Sequence, residues 1–164
     1  MIFLTVGTYP LQFDRLVKAV DIAIMNSQIR EEIFGQIGLG NYKPQKMEYV
    51  EMLGKEEFDH YFQKASAVIG HAGMGTITTA LEYRKPLLVM PRLKRYKEHV
   101  NDHQLDTARV FEQLGHVLVA YEEKYLSQKV QALSHFVPEK RRTQLEAVVA
   151  RISKFLDAVC VERS

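Results

Sequence analysis

Cysteine occurs once in this chain, at Cys160, and tryptophan not at all. A lone cysteine cannot close an internal disulfide and fits a reducing compartment. No apolar run approaches the roughly 18 residues that cross a bilayer. The opening stretch Met1–Gly7 has no basic segment and is too short for a signal peptide. Charge of one sign is also missing: 22 Lys and Arg face 20 Asp and Glu, and a net charge of +2 calls for no nucleic-acid partner. Repeats, low-complexity segments and linkers are absent too. What remains is 164 residues, 46% hydrophobic and 26% charged, the composition of one ordinary globular domain over residues 1–164 with enough mass for a core.

Within it, short apolar runs alternate with helical patterns. Ile2–Val6, Glu32–Ile37, Lys46–Met52, Ala67–Gly70, Pro86–Pro91 and Val117–Tyr121 read as strands. Helices are expected from Phe13 to about Asn26, over Glu56–Lys64 and Thr76–Tyr83, and after an Asn101 or Asp102 cap, where Leu105, Ala108, Phe111 and Leu114 should face inward. Two more are expected near Glu123–His135 and Glu139–Val161. Strands that are continuously apolar and alternate with helices indicate a Rossmann-like α/β fold, a doubly wound parallel sheet covered on both faces. Ligands of such sheets sit at the carboxyl ends of the strands, where strand order reverses. Gly7-Thr8, His71–Thr76 and Arg92–Gln104 all follow strands, so all three are candidates for one edge.

The most informative of these is His71-Ala72-Gly73-Met74-Gly75-Thr76, a strand turning through glycines into a helix. The first N–H groups of a helix are unpaired and carry the positive end of its dipole, which makes a phosphate site. Gly73 and Gly75 permit close approach and positive φ. Thr76 adds a hydroxyl and His71 a ring donor. A Gly-x-Gly after a strand also suits a dinucleotide, but the third glycine of that fingerprint is missing here. His99 and His103 are four apart, yet no third metal ligand is evident. Arg92, Lys94, Arg95 and Lys97 read either as a solvated loop or, Arg92 first, as partners of a pyrophosphate or a sugar carboxylate.

Taken in order, Thr5-Val6-Gly7-Thr8, the His71–Thr76 turn, Leu81-Glu82, Lys85-Pro86-Leu87, Asp102-His103-Gln104 and Leu114-Gly115-His116 resemble the donor-binding, C-terminal half of GT-B glycosyltransferases of family 28. Alg13-like and PssE-like exopolysaccharide subunits are the most similar, over roughly Met1 to Tyr121. The resemblance implies a UDP-sugar as substrate, with no metal and no cofactor. His71, Gly73, Gly75 and Thr76 would hold the diphosphate, and Gly7 and Thr8 would face the same cleft. His103 and Gln104 would meet sugar hydroxyls, with Asn101 and Asp102 beside them, and Val50–Met52 would offer backbone groups to uracil. The glutamate that the family commonly places on the ribose is replaced here by Thr79, leaving Thr79 or Glu82 for that role.

A GT-B enzyme has two such halves, and this chain supplies one. The resemblance therefore implies an Alg14-like or PssD-like membrane-associated partner that carries the catalytic base and the groove for a lipid-linked saccharide. This cytoplasmic chain would be recruited by that partner to the inner membrane face, and would hold no catalytic residue of its own. Together the two would form an inverting hexosyltransferase for exopolysaccharide or capsule synthesis, using UDP-glucuronate or a UDP-hexose. Alternatives are an Alg13-like UDP-N-acetylglucosamine transferase subunit and a non-catalytic nucleotide-binding module. The last helix, with Leu145, Val148, Val149, Ile152, Phe155, Leu156 and Val159 on one stripe, would pack on its own domain or on the partner.

Overall fold

The computed structural model describes residues 1–140 and 149–154. Six strands, β1 (Ile2–Thr5), β2 (Ile33–Gln36), β3 (Glu48–Val50), β4 (Ala67–His71), β5 (Leu87–Met90) and β6 (Leu118–Val119), form one sheet in the order β3-β2-β1-β4-β5-β6. Every pairing is parallel. The helices are α1 (Asp14–Met25), α2 (Lys55–Lys64), α3 (Met74–Glu82), α4 (His103–Gln113) and α5 (Leu126–Leu133). This is the expected Rossmann-like architecture.

The pleat sends alternate residues of each strand to opposite faces. Ile2 and Leu4 of β1, with Ile69, Leu88 and Met90, join one core that also holds Leu16, Val17 and Val20 of α1 and Leu126, Val130 and Leu133 of α5. Phe3, Val68, Leu87 and Val89 point the other way, onto Phe62 of α2, Ile77 and Ala80 of α3 and Ala108 of α4. Both faces are covered, which is why β1 and β5 read as unbroken apolar runs.

Several expectations shift. Leu114 lies just past α4 and is 52% exposed, so the buried face of that helix is carried by Ala108 and by Gln104. Asp102 is the N-cap residue, but its carboxylate accepts from the Lys94 N–H (2.7 Å), while Asn101 Oδ1 accepts from the His103 N–H (3.3 Å). The segment after β5 is solvated only in part, with Lys94, Arg95 and Lys97 exposed. It winds through a 3₁₀ turn at Lys94–Tyr96, and both Arg92 and Glu98 are fully buried. Residues 149–154 are helical, with Val149 and Ile152 about half exposed. Leu145, Val148, Phe155, Leu156 and Val159 of the proposed final stripe lie outside the described residues. Among the described residues no helix is long and apolar enough to cross a membrane.

Candidate functional site

Strand order reverses between β1 and β4: from β1 the chain moves out to β2 and β3, then returns to β4 and runs on to β5 and β6. A cleft of about 710 Å³ lies there, at the carboxyl ends of the strands. Its lining includes Gly7, Thr8, His71, Gly73, Gly75, Thr76, Thr79 and Gln104, so eight of the sequence-derived positions converge on one space.

The glycines divide the work differently from the sequence expectation. Gly73 is the N-cap of α3 at φ −90° and needs no left-handed backbone; Gly7, at φ +74°, does. A Cβ on Gly7 would lie 2.4 Å from His71 Cε1, and one on Gly73 would lie 2.2 Å from His71 Nε2. The two glycines therefore form a slot for the imidazole. Gly75 is different: a Cβ there meets nothing within 4 Å, so its missing side chain leaves open space in front of the helix end. No side chain caps α3. Its first intrahelical bond runs from Ile77 N–H to the Gly73 carbonyl, which leaves the Met74, Gly75 and Thr76 amides at the helix's positive end.

Burial holds the His71 pKa down at about 4, and the nearby Arg92 charge pushes in the same direction. The ring is thus neutral at pH 7 and carries one N–H. Its Nδ1 lies 3.4 Å from Thr76 Oγ1, so ring and hydroxyl stand together at the α3 end of the cleft. Gln104 is buried, and its Oε1 accepts from the Arg92 backbone N–H (3.1 Å). That bond fixes the amide and leaves Nε2 as the free donor.

Other lining residues were not assigned to the cleft from the sequence. Tyr9 stacks on His99 at 4.4 Å between centroids, and His103 meets His99 edge-on at 4.6 Å. Gln36 joins two walls: its Nε2 donates to the Gly7 carbonyl (3.2 Å) and its Oε1 accepts from Leu53 N–H (3.2 Å). From α2 come Lys55, Phe58 and Asp59. These positions come into reach only through the pairing of β2 with β1, which no local pattern reveals.

Several expected positions stand apart from the cleft lining. Arg92 is fully buried: Nη1 donates to the carbonyls of Leu11 (2.9 Å), Gln12 (2.9 Å) and Glu98 (3.1 Å), and Nη2 to that of Val6 (2.8 Å). A guanidinium so enclosed has no edge for a phosphate or a sugar carboxylate, and the ground for a uronate donor goes with it. Glu82 ends α3, exposed and about 12 Å along the axis from Met74. Asn101 and His103 are exposed and hydrogen-bonded to each other. The Val50 and Glu51 carbonyls accept from Ile37 (3.0 Å) and Gly38 (2.9 Å), so the segment offers the cleft Leu53 instead. Among the described residues no group of three or more potential metal ligands forms.

Fold and cleft define a parallel α/β domain with an uncapped helix end at its switch point. Residues 1–158 match the glycosyltransferase family 28 C-terminal domain, and the chain belongs to that family. It is 31% identical over 125 residues to the human UDP-N-acetylglucosamine transferase subunit ALG13, covering 71% of this chain and 10% of that protein. The UDP-N-acetylglucosamine--N-acetylmuramyl-(pentapeptide) pyrophosphoryl-undecaprenol N-acetylglucosamine transferase of Geobacillus kaustophilus is 31% identical over 112 residues, 63% of this chain and 29% of that one. The ALG13 subunit of Candida albicans is 28% identical over 123 residues, 72% of this chain and 40% of its own. The matched region thus spans less than half the length of these relatives. Among solved structures, Acinetobacter baumannii MurG superimposes on 93% of this chain and 49% of its own, with TM-score 0.63 at 19% identity. A kitacinnamycin glycotransferase gives 0.59 over 81% and 34%, also at 19%. The shared fold is that of one half of a GT-B glycosyltransferase.

Proposed function

We propose that this chain is the donor-binding subunit of a two-component, inverting, metal-independent glycosyltransferase, and that its donor is UDP-N-acetylglucosamine or a related UDP-hexose. One observation carries the reading: an uncapped helix end whose second residue, Gly75, leaves open space at the switch point. The amides of Met74–Thr76, the His71 ring and the Thr76 hydroxyl would lie on the diphosphate. Gln104 Nε2 would donate to a sugar hydroxyl. Two curated relatives with UDP-N-acetylglucosamine in their names support the choice of sugar.

In the transfer, the bond between the sugar C1 and the β-phosphate oxygen breaks and the acceptor hydroxyl forms the new bond at C1. The electron pair leaves with UDP. Preorganised donors aimed at that growing charge lower the barrier without having to reorient. The acceptor's proton goes to a base outside this chain. That base, and the groove for a lipid-linked saccharide, belong to an Alg14-like or PssD-like membrane-associated partner, which would bring this subunit to the cytoplasmic face.

Calorimetric titration of the full chain with UDP and with NAD tests the ligand. UDP should bind and NAD should not. His71→Ala, with its circular dichroism unchanged, should weaken UDP about tenfold, the worth of one hydrogen bond to a charged group. Undiminished affinity would remove the imidazole from the phosphate site. Assay of transfer with and without the partner then separates an enzyme subunit from a nucleotide-binding module.

A further inference from the structure

We infer that Asp59 is the residue that reads the ribose of the bound nucleotide, so that α2 rather than α3 sets the preference for a ribonucleotide. The inference rests on the UDP-sugar reading above. Among the described residues Asp59 is the only carboxylate lining the cleft. It follows Phe58, which packs on Phe3 (5.5 Å between centroids) and Phe62 (5.4 Å), so this turn of α2 is anchored in the core. Phe58 and Leu53 give the cleft an apolar surface suited to a base, while the diphosphate of the proposed donor would lie at the α3 end. The ribose joins these two ends, which brings its hydroxyls to the carboxylate.

Chemistry selects the diol over the other groups in reach. An ionised carboxylate only accepts hydrogen bonds. It repels phosphate, and it meets uracil poorly, because the single N3–H there stands between two carbonyl oxygens. Two neighbouring hydroxyls match its two oxygens. Lys55 Nζ already holds Oδ2 at 2.9 Å, which keeps the charge in place and leaves Oδ1 without a partner among the recorded hydrogen bonds. Lys55 is largely exposed and Asp59 partly so, and a ligand can reorganise such a pair at small cost. Thr79, the hydroxyl on α3 that lines the same cleft, is the competing candidate.

The test is titration of the full chain with UDP and with 2′-deoxy-UDP, followed by NMR shifts because the isolated subunit should bind weakly. The wild type should prefer UDP about tenfold, the worth of one hydrogen bond to a charged acceptor. Asp59→Ala should bring the two ligands within about twofold by losing UDP affinity alone, and Thr79→Val should keep the preference. The assignment is overturned if the wild type binds both ligands equally. It is equally overturned if Asp59→Ala keeps the preference, if that variant loses both ligands in proportion (a base contact), or if Thr79→Val is the change that removes it. Binding of neither nucleotide by the wild type would instead reject the nucleotide reading itself.

Discussion

The two loops that follow β4 and β5 both carry cationic or ionisable side chains at one edge of the sheet, and they use them in opposite ways. After β5, Lys94, Arg95 and Lys97 are exposed, but the buried charged groups are spent almost entirely on internal partners. Arg92 serves four carbonyls; Glu98 accepts from Arg15 Nε (2.8 Å), Arg15 Nη2 (2.9 Å) and Leu93 N–H (2.9 Å); Asp102 accepts from Lys94. After β4, no side chain caps the helix end and the space before Gly75 is empty. A charged residue near a cleft is thus a poor indicator of a ligand contact. The unspent donor is the better one, because unsatisfied polar groups at a fold's edge are costly unless something else meets them.

The sharpest way to break this contrast is Arg92→Met. If the guanidinium is structural, its removal orphans the carbonyls of Val6, Leu11, Gln12 and Glu98. Each buried acceptor left unpaired costs about 1–3 kcal/mol, so the loss should be on the order of 3–5 kcal/mol, visible as a lower midpoint in urea unfolding. A variant of wild-type stability that fails to bind UDP would return Arg92 to the ligand.

A smaller effect comes from His71. Its folded pKa of about 4 lies below the ordinary 6.5, so between those values the unfolded chain takes a proton that the native ring refuses. Stability should therefore hold above pH 6.5 and fall as pH drops toward 4, by on the order of 2–3 kcal/mol from this ring. Urea unfolding at pH 7 and pH 5 should show a steeper loss for wild type than for His71→Asn. Parallel curves would mean that the slot between Gly7 and Gly73 does not exclude the charged ring.

What the sequence made legible follows from range. The apolar runs of β1, β4 and β5 and the glycine-rich turn are local patterns, and they placed the fold and the α3 end of the cleft. Arg92 defied its surroundings in the chain because its partners Val6, Leu11 and Gln12 lie 80 to 86 residues away. Asp21 is similar: buried inside an amphipathic helix, its carboxylate accepts from Tyr42 Oη (2.7 Å) and from the Gln45 (3.0 Å) and Lys46 (2.8 Å) N–H groups, ordering the loop before β3. Tyr9, Phe58 and Asp59 reach the cleft only once β1 and β2 are paired and α2 is laid on their face. Periodicity reports which face of a helix is buried; it carries no information on what stands opposite.

The mildest perturbation separates fold from ligand most cleanly. Gly75 is the second residue of α3, in helical conformation, with nothing near its absent Cβ. Alanine there costs no contact and removes backbone freedom from the unfolded chain, so Gly75→Ala should stabilise the protein by up to about 1 kcal/mol. The same methyl projects into the space assigned to the diphosphate, where it would hold the ligand off the amides of Met74–Thr76. Thermal unfolding without nucleotide should therefore shift up, while the further shift produced by saturating UDP should shrink or vanish. Two opposite signs from one methyl group are hard to obtain by any general damage to the fold. Equal nucleotide-induced shifts in wild type and variant would place the ligand elsewhere, and the contrast between the loops after β4 and β5 would lose its functional meaning.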